Sequence, residues 1–123
     1  YRERLASIPG LTPLGDAEMT DRHAWHLFIV RVDPDAAGID RSTFMAALKA
    51  DNIGTGIHFR AVHTQKWFVD HPDRWRGADL VNTEWNSDRI CSLPLFPGMT
   101  DADIDEVVAS IRNAVPSSPG VPA

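Results

Sequence analysis

Period-two alternation runs through Ile53 to Lys66 (IGTGIHFRAVHTQK), where Gly54 and Gly56 separate Ile53, Thr55 and Ile57. This pattern predicts a strand, and glycine inside a strand marks close approach by another backbone or a ligand. His58, Arg60, His63 and Lys66 crowd its far end, where the chain is expected to turn. A rigid element would there present binding side chains to one place.

The rest of the chain is built around that stretch. Tyr1 to Ser7 has helical spacing and is stopped by Pro9-Gly10. Leu11 to Leu14 reads as an edge strand, because Pro13 excludes a central one. Ala24 to Asp33 (AWHLFIVRVD) is a near-continuous apolar run that predicts a central strand buried on both faces, with His26 a partly buried strand histidine. Asp33-Pro34-Asp35 predicts a turn. Asp40 caps a helix from Arg41 to about Asp51, with Phe44, Ala47 and Leu48 on its inner face, Lys49 outward and Asn52 as a left-handed stop.

Thr64 to His71 predicts a short helix closed by Pro72, and Thr83 to Ile90 a further helix with Thr83 as cap and Trp85 facing Arg89. Cys91 to Phe96 predicts a short strand kept to the edge by Pro94. Thr100 opens the clearest helix: Thr100 with Asp103 approximates a capping box, and Ile104, Val107, Val108, Ile111 and Val115 form one apolar stripe. Gly15 to Arg22 and Asp73 to Leu80 are expected loops, and Pro116 to Ala123 a disordered tail. The expected fold is α+β, a small, mostly antiparallel sheet covered by helices.

With 123 residues the chain suits one domain. A net charge of -5 and the lack of a basic stripe exclude non-specific nucleic-acid binding. No apolar run reaches the roughly 20 residues of a membrane helix, and no signal peptide opens the chain. Cys91 is the single cysteine, which allows no internal disulfide and predicts a reducing, intracellular setting. Its apolar neighbours favour a buried structural thiol over a nucleophile. The start at Tyr1 in place of methionine suggests a lost leader or a fragment.

The five histidines lack metal-ligand spacing, and no GxGxxG, P-loop or GxSxG occurs. Of the two lysines, Lys49 is expected on a solvated helix face, while Lys66 lies beside the polar cluster, where it suits an anionic group. Among the four tryptophans, Trp75 in its polar loop is the candidate for stacking on a sugar, against the ordinary packing role of aromatics.

Three segments taken together are specific: HLFIVRVD (His26 to Asp33), TFMAALKADNIGTGIHFRAVHTQKWF (Thr43 to Phe68) and NTEWNSDRICSLPLFPGMTDADIDEVV (Asn82 to Val108). They resemble the C-terminal domain of the DegT/StrS-type nucleotide-sugar aminotransferases, which depend on pyridoxal phosphate. The resemblance implies the small domain of a fold type I enzyme. Residues 1–7 would end a linking helix from a missing large domain, 8–115 would form the small domain, and 116–123 the tail. It further implies that the Schiff-base lysine, the phosphate-binding residues and the pyridine-nitrogen aspartate lie upstream, so that none falls on Lys49 or Lys66. Cofactor contacts in this chain are expected to be none, and the chain alone inactive.

The family's segment matching GIHFRAVH approaches the substrate cleft. This makes His58, Arg60 and His63 the implied substrate contacts, with Lys66 a weaker one. The implied reaction moves an amino group between glutamate/2-oxoglutarate and a UDP-linked 4-keto sugar nucleotide, in bacterial lipid A or cell-surface sugar modification. A cytoplasmic homodimer is the implied setting, and His71 to Leu80 is the segment expected to vary with substrate. The alternatives are a stand-alone α+β module binding a small anion at His58–His63, and an inert fragment.

Overall fold

A computed structural model describes residues 1–15, 24–75 and 79–116. Three antiparallel strands form the sheet in the order β1 (Leu11–Pro13), β2 (Phe28–Val32), β3 (Ile90–Leu93). Pro13 of edge strand β1 stands opposite Val30, and β2 pairs Phe28 with Leu93 and Arg31 with Ile90. Side chains of β2 alternate: Phe28, Val30 and Val32 are buried on one face, while Ile29 and Arg31 are half-buried on the other. The expected burial on both faces is therefore only partial. The outer face is screened by α5 (Val81–Ser87), whose Trp85 ring lies 4.9 Å from the Arg31 guanidinium.

Helices cover the inner face. Phe44 and Leu48 of α3 (Arg41–Ala50) and Val107, Val108 and Ile111 of α6 (Asp101–Ala114) join Leu5 of α1 (Arg2–Leu5) in one core with the sheet. Such burial supplies most of the stability of short helices. The long helices start where their caps place them. Asp40 Oδ1 accepts from Thr43 N at 2.7 Å, and Thr100 and Asp103 form a reciprocal capping box. Asn52, at φ 62, stops α3 as expected. Ser110 Oγ donates to Asp51 Oδ2 at 2.8 Å, tying α6 to the end of α3. Arg4 reaches Asp101 at 3.1 Å and Asp105 at 2.7 Å, tying α1 to the start of α6.

Several expectations need correction. The strand predicted from Ile53 reduces to one bridge, with Gly56 N donating to Ser92 O at 3.2 Å and Ser92 N to Gly56 O at 2.8 Å. The ladder cannot extend either way. In one direction Gly54 would face Pro94, which has no N–H; in the other His58 would face Ile90, whose carbonyl accepts from Arg41 Nη1 at 3.4 Å. Strand β2 begins only at Phe28, and Trp25 ahead of it adopts φ 49. His26 is consequently exposed and lies outside the strand.

The Asp33-Pro34-Asp35 turn is a one-turn helix, α2 (Pro34–Ala37), capped by Asp33 and ended by Gly38 at φ 71. Helix α5 starts at Val81 and not after Thr83, since Asp79 Oδ1 accepts from Val81 N at 3.3 Å. The Trp85–Arg89 pairing within that segment is present, at 4.6 Å from guanidinium to ring. The predicted Thr64–His71 helix is a 3₁₀ turn at Val62–Thr64 followed by α4 (Lys66–Asp70). Most of the loop predicted at Gly15 to Arg22 and of the tail after Pro116 lies outside the described residues, as does part of the Asp73–Leu80 loop.

Candidate functional site

The segment leaving α3 carries the candidate residues, and three anchors hold it, two of them from elsewhere in the fold. The first is the Gly56–Ser92 bridge. The second is Ser87 at the end of α5, whose Oγ accepts from the buried Ala61 N at 3.0 Å. The third is local: Thr64 Oγ1 donates to Ala61 O at 2.8 Å. Between these anchors Arg60 is exposed and bonds to none of the described residues. With Arg41, Thr64, Glu84, Ser87 and Asp88 it lines a cleft of about 370 Å³. Arg41 is itself turned inward, its Nη1 donating to the carbonyls of Ser87 and Ile90.

His63 points at the same region. Its Nε2 lies 3.0 Å from Glu84 Oε1, and its side chain is 13% exposed. An ionised carboxylate only accepts, so Nε2 carries the proton and Nδ1 is the acceptor of the neutral ring. His58 is half-buried behind them, with Nδ1 2.7 Å from Ser92 Oγ. Lys66 is different. It is 87% exposed and pairs with Asp70 at 2.7 Å, one turn along α4, as surface lysines do.

The fold thus brings Arg60 and the Glu84 partner of His63 to one cleft, holds His58 by β3, and gives Lys66 a partner on its own helix. Trp75 also has a partner: its Nε1 donates to Phe68 O at 3.1 Å, and its ring meets Phe68 edge-on at 6.0 Å. It is packed as a half-buried aromatic. Among the described residues no group of three or more His, Cys, Asp or Glu is placed to hold a metal ion. Cys91 is buried, and burial raises its thiol pKa to about 11, outweighing the nearby Arg41 charge. It is a packed thiol and not an activated one.

Glu84, Ser87, Ser92 and Arg41 escaped the sequence reading. Ser92 had one readable signal: a small polar residue inside an apolar strand run must find a buried partner.

The sequence profile of the DegT/DnrJ/EryC1/StrS aminotransferase family matches residues 1–112. The chain belongs to this family. Its structure is similar to that of DesI, solved in the presence of its TDP-sugar product, at TM-score 0.80 and 29% identity over 94% of this chain and 28% of DesI. DesV from S. venezuelae, solved with a ketimine intermediate, gives TM-score 0.77 and 26% identity over 96% of this chain and 30% of DesV. The aminotransferase TlmJ from Streptoalloteichus hindustanus, at TM-score 0.75 and 18% identity over 93% of this chain and 28% of TlmJ, shares the fold. The chain therefore spans less than a third of the length of these matched proteins.

The fold is the small-domain architecture of fold type I pyridoxal phosphate aminotransferases. Pyridoxal phosphate needs a lysine in a desolvated site. Lys49 is exposed on α3, and Lys66 is solvated and paired with Asp70.

Proposed function

We propose that this chain is the small domain of a sugar-nucleotide aminotransferase and forms one wall of its substrate cleft. Family membership, with DesI and its TDP-sugar product as a 29% identical neighbour, supports the substrate class. The intact enzyme moves an amino group between glutamate and a 4-keto sugar nucleotide. The cofactor-bearing lysine belongs to residues outside this chain, and neither Lys49 nor Lys66 takes that role. The chain alone binds and orients but does not turn over. The three sequence segments favour a UDP-linked sugar and the neighbourhood of UDP-4-amino-4-deoxy-L-arabinose–oxoglutarate aminotransferase. Lipid A modification in the bacterial cytoplasm, by a homodimer, follows from that choice.

The observation that carries the reading is Arg60. A guanidinium exposed at a cleft, forming no ion pair with the Glu84 and Asp88 carboxylates that also line it, suits bidentate binding of a diphosphate or carboxylate. Beside it, His63 is fixed by Glu84 with one nitrogen free for the sugar. Lys66, on α4, is the weaker candidate contact, since Asp70 already pairs with it. Phe59 and Val62 on the same segment are 77% and 63% exposed, an apolar surface suited to burial against the rest of the enzyme.

Steady-state kinetics on the intact enzyme test the reading. Losing a charge-assisted hydrogen bond costs about 1.5–3 kcal/mol, so Arg60→Gln should raise KM for the UDP-linked 4-keto sugar ~10- to 100-fold and leave that for glutamate unchanged. An unchanged sugar-nucleotide KM would overturn the assignment of Arg60. Faster turnover of a TDP-linked sugar would replace UDP and keep the class.

A further inference from the structure

Ser92 is a serine in an apolar strand, 5% exposed, and its hydroxyl makes two contacts. Oγ lies 3.2 Å from Gly56 O and 2.7 Å from His58 Nδ1. A hydroxyl has one proton to donate. Both contacts are hydrogen bonds only if that proton goes to Gly56 O and His58 Nδ1–H donates to Oγ. In the opposite arrangement Oγ donates to Nδ1 and the Gly56 contact is lost. Chained donors also strengthen one another, which favours the first arrangement.

Gly56 is part of the device. A Cβ there would stand 2.4 Å from His58 Cε1 and 3.2 Å from Ser92 Oγ, so the imidazole occupies the space a side chain would need. The glycine noticed in the sequence as a place of close approach is approached by His58 itself. Nε2 is left with no partner among the described residues.

We propose that Ser92 is a positioning residue that fixes His58 as the Nδ1–H tautomer, so that the neutral ring offers Nε2 as an acceptor to a hydroxyl donor of the sugar. This rests on the sugar-nucleotide reading for the identity of the donor, but not for the tautomer. It also divides the work of recognition. A neutral Nε2 acceptor repels phosphate and carboxylate oxygens, so the anionic part of the substrate falls to Arg60 and a hydroxyl to His58. His63, held through Nε2 by Glu84, has the opposite tautomer.

The tautomer is readable without substrate or cofactor. In the full chain labelled with ¹⁵N-histidine, long-range proton–nitrogen correlations should show His58 with Nδ1 protonated and Nε2 bare at a pH where the ring is neutral. His58→Gln identifies the signals. Ser92→Ala should convert them to a tautomer mixture, Ser92→Thr should restore them, and Gly56→Ala should displace the ring and abolish the pattern. Protonated Nε2 in the wild type, or a pattern unmoved by Ser92→Ala, would overturn the proposal. If Ser92→Ala does not fold, the wild-type spectrum alone decides.

Adding the UDP-linked sugar to the intact enzyme should then shift Nε2 while leaving it bare. A proton gained by Nε2 on binding would overturn the acceptor role. A correct tautomer with no response to any sugar nucleotide would instead count against the substrate class.

Discussion

Removing the hydroxyl of Ser87 should loosen the binding segment without unfolding the domain. Ser87 Oγ accepts from Ala61 N at 3.0 Å, and Ala61 is 7% exposed, so Ser87→Ala leaves a buried amide without its acceptor. The cost of orphaning a neutral buried donor is ~1–3 kcal/mol. The lower part of that range applies, because the contact is only partly buried and Thr64 still donates to Ala61 O. At about 1–2 kcal/mol, the open form of the segment becomes ~5- to 30-fold more populated. Ala61 sits between Arg60 and His63, so the opening frees both candidate contacts together. Amide hydrogen exchange followed residue by residue measures it directly. The Ala61 amide should exchange faster by that factor, while the amide of fully buried Val30 in the central strand keeps its rate. Unchanged exchange at Ala61 would refute the anchoring role. Equal acceleration at Ala61 and Val30 would show that Ser87 supports the whole fold and not this segment.

Two further predictions concern the frame. Hydrogen bonds from Thr43 to Asp40 and from Thr100 to Asp103 hold both carboxyls below the ordinary value of 3.8. The folded state therefore binds these protons less readily than the unfolded chain. Their contribution is fully present above pH 3.8 and is lost as pH falls through the lower folded values. Urea midpoints measured across that range should fall for the wild type and fall less steeply for an Asp40→Asn, Asp103→Asn double variant; identical slopes would contradict the caps' titration. Cys91, its thiol raised to about 11, should resist a disulfide reagent at neutral pH in the native chain and react fully in urea. Rapid native labelling would contradict its burial.

What could be read from sequence was local. Asp40 and the Thr100–Asp103 box mark helix starts through bonds spanning three residues, so α3 and α6 were legible, as was Asn52 as a stop. Leu11 to Pro13 was legible because proline confines a strand to an edge. The stretch after Ile53 was misread because its periodicity describes a surface but not a partner. Its one pairing partner, Ser92, is 36 residues away, and Pro94 and Arg41 end the ladder there. Helix α5 was placed late for a similar reason: Asp79, ahead of the apparent cap, supplies the acceptor.

The candidate segment was legible by location and not by its connections. His58, Arg60 and His63 were found as a cluster, yet Ser92, Ser87 and Glu84, which set their geometry, arrive from segments 21 to 34 residues on. Lys66 lies beside the cluster in sequence, and its pairing with Asp70 follows from helical spacing that the predicted Thr64–His71 helix already contained.

If this chain supplies a binding wall, the lysine that takes the cofactor lies elsewhere in the intact enzyme. The most direct measurement is to express the whole reading frame containing this chain with pyridoxal phosphate, reduce it with borohydride, and locate the tagged lysine by peptide mass. The tag should fall on a lysine outside residues 1–123, with Lys49 and Lys66 both untouched. A tag on either of those two lysines would contradict it.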